Sequence, residues 1–432
     1  MKKITIVGLA AITAAALLFA ACQKKAPAAA AADPNAPVTL TVWCWDPTNN
    51  IYGMNKAGEI YKRDHANVTV NVVETPWDDV QQKLITSLSA KQTANLPDIV
   101  LIQDNAIQKN VGTYPDAFLP VNGKVDLSKF AKFKLDVGNV NGKNYGVPFD
   151  NGATGTFLRR DIVEKAGLKV EDFNNITWER FIELGKIVKD KTGVTMVSTV
   201  ANSPAYLMIG LQSAGSWFFK EDGSLYIKDN PVLLRSLEIM RDMINAGVLT
   251  LVADWNAYIA TINNGTVAAT IQGCWIMGSI VAETSQSGNW AMVSTPRFAT
   301  IPESVNYSSQ GGSGWVTLAS SKNPDVALDF LDKTFAGSVE LYEAVLPRGM
   351  VATWSPAVAS PLYSQPNDFF GGQKIYSDLM GYAEKIPQVK YGVFNYEARD
   401  AVARAMTDIL QGKTIAESLE LADKNVSFLI GQ

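Results

Sequence analysis

From residue 38 onward the apolar positions switch repeatedly between a strand period and a helix period. "VTLTVWCW" is a short apolar strand, and "IYGMNKAGEIYKRD" sets Ile51, Met54, Ala57 and Ile60 three apart on one helical stripe. "VTVNVVET" is β-branched, "WDDVQQKLITSLSA" returns Val80, Leu84 and Leu88 to helical spacing, and "DIVLIQ" is another buried strand. This alternation predicts an α/β fold with a mostly parallel sheet covered by helices on both faces. Ligands of such sheets sit beyond the carboxyl ends of the strands. Trp43, Trp45 and Asp46 occupy one such end, and Gln103 and Asp104 another.

A hairpin signal at Asn141-Gly142 leads into "NGATGTFLRRDIVEKAG", after which a second αβ pattern begins. Thr177 is placed to cap a helix whose Phe181, Leu184 and Val188 share a face, with Gly193 as its stop. Asp222-Gly223 marks a turn before a long helix from about Pro231 to Ala246. Pro324 suits a first helical position with Gly337 as the stop, and Thr414 and Glu417 have capping-box spacing. No internal repeat and no spanning segment beyond the N-terminus is visible.

That N-terminus has two lysines, an apolar run from Ile4 to Ala21 and then a cysteine followed by polar residues. It reads as a signal peptide over 1–21. Leu18, Phe19, Ala20, Ala21 and Cys22 resemble the lipobox of bacterial lipoproteins, with Phe19 where that pattern usually has leucine. Cys22 is therefore the expected lipidation site, and the alanine- and proline-rich stretch 22–37 a flexible tether holding the protein on a membrane without entering it. A helix of the fold is the alternative reading of the alanine run.

About 395 folded residues are too many for one ordinary core and imply two lobes. The formal charge of −4 becomes −6 once Lys2 and Lys3 are removed, and no basic face is visible, which argues against nucleic acid as a partner. Beyond Cys22 only Cys44 and Cys274 remain, each beside a tryptophan in an apolar segment, and two buried free thiols are expected rather than a disulfide. With His65 as the single histidine, in a polar turn, nothing around it suggests a nucleophile. HExxH and the common Walker and dinucleotide glycine patterns are absent. No cofactor and no metal is expected. Paired carboxylates stay open, because 42 acidic residues always offer some pair.

Several stretches, in order, resemble one family: the extracellular solute-binding proteins of ABC importers, in the sugar-binding group that includes maltose-binding protein. They are "YKRDHANVTVNVVETPWDDVQQKLITSLSAKQTANLPDIVLIQ", "YGVPFDNGATGTFLRRDIVEKAG", "NNGTVAATIQGCWIMG", "GGSGWVTLASSKNPDVALDFLDKTFAG" and "NYEARDAVARAMTDILQGKTIAESLELA". The resemblance implies a periplasmic-binding-protein-like fold: two αβ lobes joined by crossing hinge strands, closing on a sugar or polyol in the cleft between them and presenting it to ABC permease subunits. Carried onto this chain, lobe 1 is 38–148 plus 296–320 and lobe 2 is 149–295 plus 321–432. The crossings fall near 147–151, near 294–298 and near Ser320. A monomer is expected.

A sugar presents hydroxyls around its rim and C–H patches on its faces, so its site calls for carboxylates and amides in the plane and aromatic rings above. Trp43 and Trp45 share one face of the first strand and are candidates for the cleft, with core packing as the alternative. Asp46 is a hydroxyl acceptor or a helix cap. Gln103, Asp104 and Asn105 stand where the family places polar contacts, against a solvated helix start. Asp150 and Asn151 lie at the first crossing. Trp275 in "GCWIMG" matches the family's Gly-x-Trp segment, with Gly273 allowing close backbone approach. Trp255 and Tyr206 are further aromatic candidates. Gly312 permits tight backbone beside the cleft, and Trp315 is a wall or core. Arg348 forks two hydroxyls or pairs at the surface. In "YGVFNYEARDAV", Asn395 stands where the family has a ring, leaving Tyr396 alone and trading stacking for an amide contact.

A surface-anchored glycoside hydrolase or lyase with two carboxylates would also place tryptophans and acids in a cleft. The residues give no reason to single out a raised general acid and its partner. A binder of charged solutes needs one charge sign concentrated in the cleft, whereas the candidates mix Asp, Asn, Gln and Arg.

Overall fold

The computed structural model describes residues 36–431. The expected signal peptide, the expected lipidation site Cys22 and most of the expected tether lie outside the described residues. Strand β1 (Val38–Cys44) buries Leu40, Val42 and Cys44 and turns Trp43 and Trp45 to the other face, as period-2 geometry requires. Helix α1 (Asn50–Tyr61), β2 (Val68–Glu74), α2 (Trp77–Ser89), β3 (Ile99–Gln103) and α3 (Asp104–Thr113) follow in the alternation the apolar pattern predicts. After α4 (Lys132–Gly138), β4 (Asn139–Val140) and β5 (Lys143–Asn144) form the expected hairpin, with positive φ at both Asn141 and Gly142. Strand β6 (Gly146–Asp150) then leads to the first crossing.

In the second lobe come β7 (Thr154–Arg159), α5 (Arg160–Lys165), α6 (Trp178–Thr192), β8 (Val197–Val200), α7 (Ala205–Ser213) and α8 (Pro231–Asn245). They are followed by β9 (Leu249–Val252), α9 (Trp255–Asn263), β10 (Ala269–Gly273), α10 (Met277–Val281) and β11 (Trp290–Val293). Thr177 Oγ1 accepts from Arg180 N at 3.2 Å and Gly193 ends α6 at φ +77°, both as expected. The chain returns through β12 (Ser313–Thr317) to α11 (Pro324–Lys333), α12 (Val339–Val345) and α13 (Ser355–Val358). It ends with α14 (Ile375–Ala383), α15 (Asn395–Leu410) and α16 (Ile415–Ile430), the last opened by the Thr414/Glu417 capping box. Gly337 is not the stop of α11, which closes at Lys333 four residues earlier.

The first lobe holds a five-stranded sheet in the order β2-β1-β3-β12-β6, and the second a three-stranded sheet β10-β7-β11 plus the β8–β9 pair. Parallel pairing joins β1 to β3 and β8 to β9, but β12 runs antiparallel to both β3 and β6, and β10 and β11 run antiparallel to β7. The mostly parallel expectation is thus corrected. A strand returning from another lobe is under no βαβ constraint, so it enters β12's slot in the opposite sense.

The expected lobe boundaries also need correction. The second crossing is not at 294–298: Trp178 N donates to Arg297 O, and Phe298 is buried in the second-lobe core. It lies at 308–312, where Ala153 bridges Ser309 and Gln310 N donates to Gly152 O at 2.8 Å. Nor does the chain cross at Ser320. Helices α11 and α12 stay on the first lobe, where Tyr61 OH donates to Asp329, Arg63 forks Glu340 at 2.7 and 2.8 Å, and Phe335 packs edge-on against Phe149. Trp354 still bridges Phe130, whereas Phe370 packs on Phe157 of β7, so the third crossing falls between them.

Candidate functional site

Where strands end and lobes meet, the structure gathers two connected groups of side chains. The first centres on Trp275, in the short turn between β10 and α10. Its indole N–H donates to the carbonyl of Gln310 in the second crossing at 2.9 Å, and its ring lies over Gly311. A Cβ on Gly273 would stand 2.3 Å from the Trp275 Nε1 and 2.4 Å from Gln310 O, so only glycine lets indole and crossing strand approach this closely. Trp255, at the first position of α9 and 45 % exposed, places its ring 5.8 Å from that of Trp275. Opposite stands the turn after β1. Asn49 reaches the Trp275 carbonyl at 3.5 Å, and Arg348 donates to Thr48 O at 3.0 Å while lying 3.9 Å above the Tyr52 ring.

The second group follows from Trp45. Its ring lies 4.8 Å from Trp77, which lies 6.0 Å from Tyr396. The Tyr396 hydroxyl donates to Asn105 Oδ1 at 3.0 Å and meets Gln103 Oε1 at 3.4 Å. Trp45 and Asp46 are neighbours in the chain, so the two groups share the end of β1. Together they supply aromatic faces and amides.

Several candidates have other employment. Asp46 holds the turn before α1 rather than capping the helix: at φ +61° its carboxylate accepts from Thr48 N and Oγ1, Asn49 N and Asn49 Nδ2, at 2.7–3.2 Å. Trp43 packs on the first-lobe core beneath Lys83, whose Nζ is 5.6 Å from the ring. Tyr206 is buried in the second-lobe core, with its hydroxyl on Ser198 O. Trp315 is fully buried against Phe149 and Phe335. Asn395 is completely buried as well: it accepts from the Trp217 indole at 2.7 Å and donates to Asn105 O at 3.0 Å, so its amide is spent on protein partners.

Asp104 and Asp150 are correspondingly absent from any open surface. Lys134, whose side chain is 1 % exposed, donates to both carboxylate oxygens of Asp104 at 2.6 Å and to Ser313 O at 3.1 Å. Ser313 Oγ in turn donates to Asp150 at 2.6 Å. Gly312 lies against this cluster, since a Cβ there would meet Asp104 Oδ2 at 2.4 Å. Burial pushes Asp104 up to about 6 although Lys134 pulls the other way, and raises Asp150 for the same reason. Asn151 holds the crossing turn, its Oδ1 accepting from Ala153 N at 2.9 Å, and its carbonyl lies 3.2 Å from the Cys274 sulfur. Cys44 and Cys274 are both buried free thiols raised by desolvation, in line with the sequence expectation.

Sequence reasoning missed Trp77, Asn49, Tyr52, Gln310 and Lys134. Trp77 opens α2 three residues after the end of β2, so a strand-end rule extended over the following turn would have found it. Lys134, in "KFAKFKLDVG", carries no signal separating it from its exposed neighbours Lys129 and Lys132. Among the described residues, no cluster of His, Cys, Asp and Glu could hold a metal, and no helix is long and apolar enough to cross a membrane.

With this geometry in view, the comparisons with known proteins are consistent. The model of the family described as bacterial extracellular solute-binding protein matches residues 56–367. The lactose-binding protein of Rhizobium radiobacter is 39 % identical over 412 residues, covering 95 % of this chain and 94 % of that one. The chain therefore belongs to the bacterial extracellular solute-binding protein family. Two solved structures share the fold. The GacH receptor of Streptomyces glaucescens GLA.O, solved unliganded and with acarbose, gives a TM-score of 0.78 at 17 % identity over 92 % of this chain and 99 % of that one. The galacto-N-biose-/lacto-N-biose I-binding protein of Bifidobacterium longum, with lacto-N-biose, gives 0.75 at 19 % over 92 % and 98 %.

Proposed function

We propose that the protein is the sugar-capturing component of an ABC importer, binding a neutral disaccharide of the lactose class between its lobes without making or breaking a bond. The observation that carries this reading is the near full-length similarity to a lactose-binding protein. The geometry supports it. The Trp255–Trp275 pair offers broad indole faces for sugar C–H patches, and Trp275 is tied to a crossing strand, so what stacks on it bears on the segment that must bend. Gln103, Asn49 and Arg348 supply amide and guanidinium partners for hydroxyls. Trp45 and Trp77 form the facing aromatic wall.

In the same reading, lobe 1 is 38–150 plus 313–354 and lobe 2 is 154–307 plus 370–431. The protein is exported by its signal peptide, anchored through Cys22 and monomeric, and the closed form is handed to permease subunits. Titrating intrinsic tryptophan fluorescence with lactose, cellobiose, maltose and a polyol tests the proposal when the same mixtures are analysed for products. A saturating change with lactose and intact sugar is expected. Silence across the panel, or released monosaccharide, would overturn it.

A further inference from the structure

We propose that Lys134 is a positioning residue for lobe closure: it clamps the first-lobe ends of two crossing segments to one buried point, so that bending is confined to Gly152 and Gly311–Gly312. The reading rests on the two-lobe capture mechanism proposed above.

The crossings run side by side. Asp150 and Ser313 are register partners at the first-lobe end, Gln310 N donates to Gly152 O in the middle, and Thr154 N donates to Ser308 O at the second-lobe end, 2.9 Å away. At the first-lobe end every link converges on the ammonium of Lys134. It holds Asp104 through both oxygens and the main chain of Ser313 through its carbonyl, while the Ser313 hydroxyl holds Asp150. Asp104 N closes the ring by donating to Gly312 O at 3.0 Å. Four chain segments, the starts of α3 and β12, the end of β6 and helix α4, thus meet in one cluster.

A buried ionic cluster is a poor source of stability, because removing the charges from water costs about as much as their attraction returns. Its attested use is to specify one arrangement among alternatives, since each charge must keep its partner. Here the arrangement specified is the direction in which the paired crossings leave the first lobe.

Immediately beyond the cluster the backbone changes character. Gly311 and Gly312 take φ +81° and +78°, a region that side-chain-bearing residues avoid. A Cβ on Gly152 would lie 2.7 Å from both Gln310 O and Ser309 Oγ, so the two segments touch through bare backbone. A rigid anchor followed at once by glycines in contact concentrates rotation at those glycines.

The test measures the distance between spin labels at Lys62→Cys in the first lobe and Lys186→Cys in the second, in a Cys22→Ser background, since Cys44 and Cys274 are buried. The ligand-free wild type should show one narrow distance distribution and Lys134→Met a distribution at least twice as wide. The combined variant Asp104→Leu/Lys134→Met/Asp150→Asn removes the charges of the cluster together and keeps the experiment readable should the single variant fail to fold; it too should be broad. A narrow, wild-type-like distribution in whichever variant folds would overturn the proposal, even with a lowered Tm, because a purely structural residue changes Tm alone. The measurement needs no sugar, so failure of the lactose reading would not be mistaken for failure of this one.

Discussion

The indole of Trp275 and the carbonyl of Gln310 are joined by a 2.9 Å hydrogen bond that ties the turn after β10 of the second lobe to the segment crossing to the first lobe. In the proposed site, the ring that would stack on the sugar is thereby fastened to a segment running between the lobes. In that reading, ring stacking and the position of that segment are coupled in one residue.

Trp275→Ala should weaken lactose binding at least tenfold, measured by isothermal titration calorimetry, while Trp275→Phe should retain part of the affinity because it keeps a ring and loses only the tether. Equal affinity of the alanine variant and the wild type would remove Trp275 from the site.

Trp315 provides the contrast. Its ring is fully enclosed by Phe149 and Phe335, so Trp315→Ala should lower unfolding free energy by about 3–5 kcal/mol. Chemical denaturation checks the loss. The fraction that remains folded should bind lactose within about threefold of wild type, a small change by the tenfold-per-1.4 kcal/mol scale.

Asn395 joins Asn105 O of the first lobe to the Trp217 indole of the second-lobe core. Asn395→Ala leaves a buried acceptor and a buried donor unpaired, at about 1–3 kcal/mol for each. A marked fall in Tm is expected in thermal unfolding, and an unchanged Tm would show that these two hydrogen bonds contribute nothing.

The pH dependence follows from Asp104, whose folded value of about 6 exceeds its ordinary 3.8. A carboxyl raised by folding binds its proton more tightly in the native state. Its stabilising contribution is therefore complete below about pH 4 and is lost as the pH rises through 6. Asp150 is shifted in the same direction. Relative to Asp104→Asn, the wild type should lose stability between pH 4 and pH 7 in urea titrations. The opposite slope would mean that Lys134, not burial, governs this carboxyl.

Most secondary elements were legible because their signals are local. The Thr177 cap, the αL glycine at 193, the Asn141-Gly142 hairpin and the Thr414/Glu417 box each depend on residues within a few positions of one another. The site was legible only in part. Trp255 and Trp275 come together as a pair, but Asp104, Asp150, Asn395, Tyr206 and Trp315 look the same in sequence whether they line a cleft or fill a core.

What the chain alone determined is the order and type of its elements, its two-lobe size and its family, since periodicity, capping and motif order are written along one dimension. Tertiary structure decided which polar groups are spent inside. Lys134 finds Ser313 across 179 positions and Asn395 finds Trp217 across 178. Such partners become neighbours only when lobes and crossings are assembled, and a buried charge or amide is defined by the partner it meets rather than by the residues beside it.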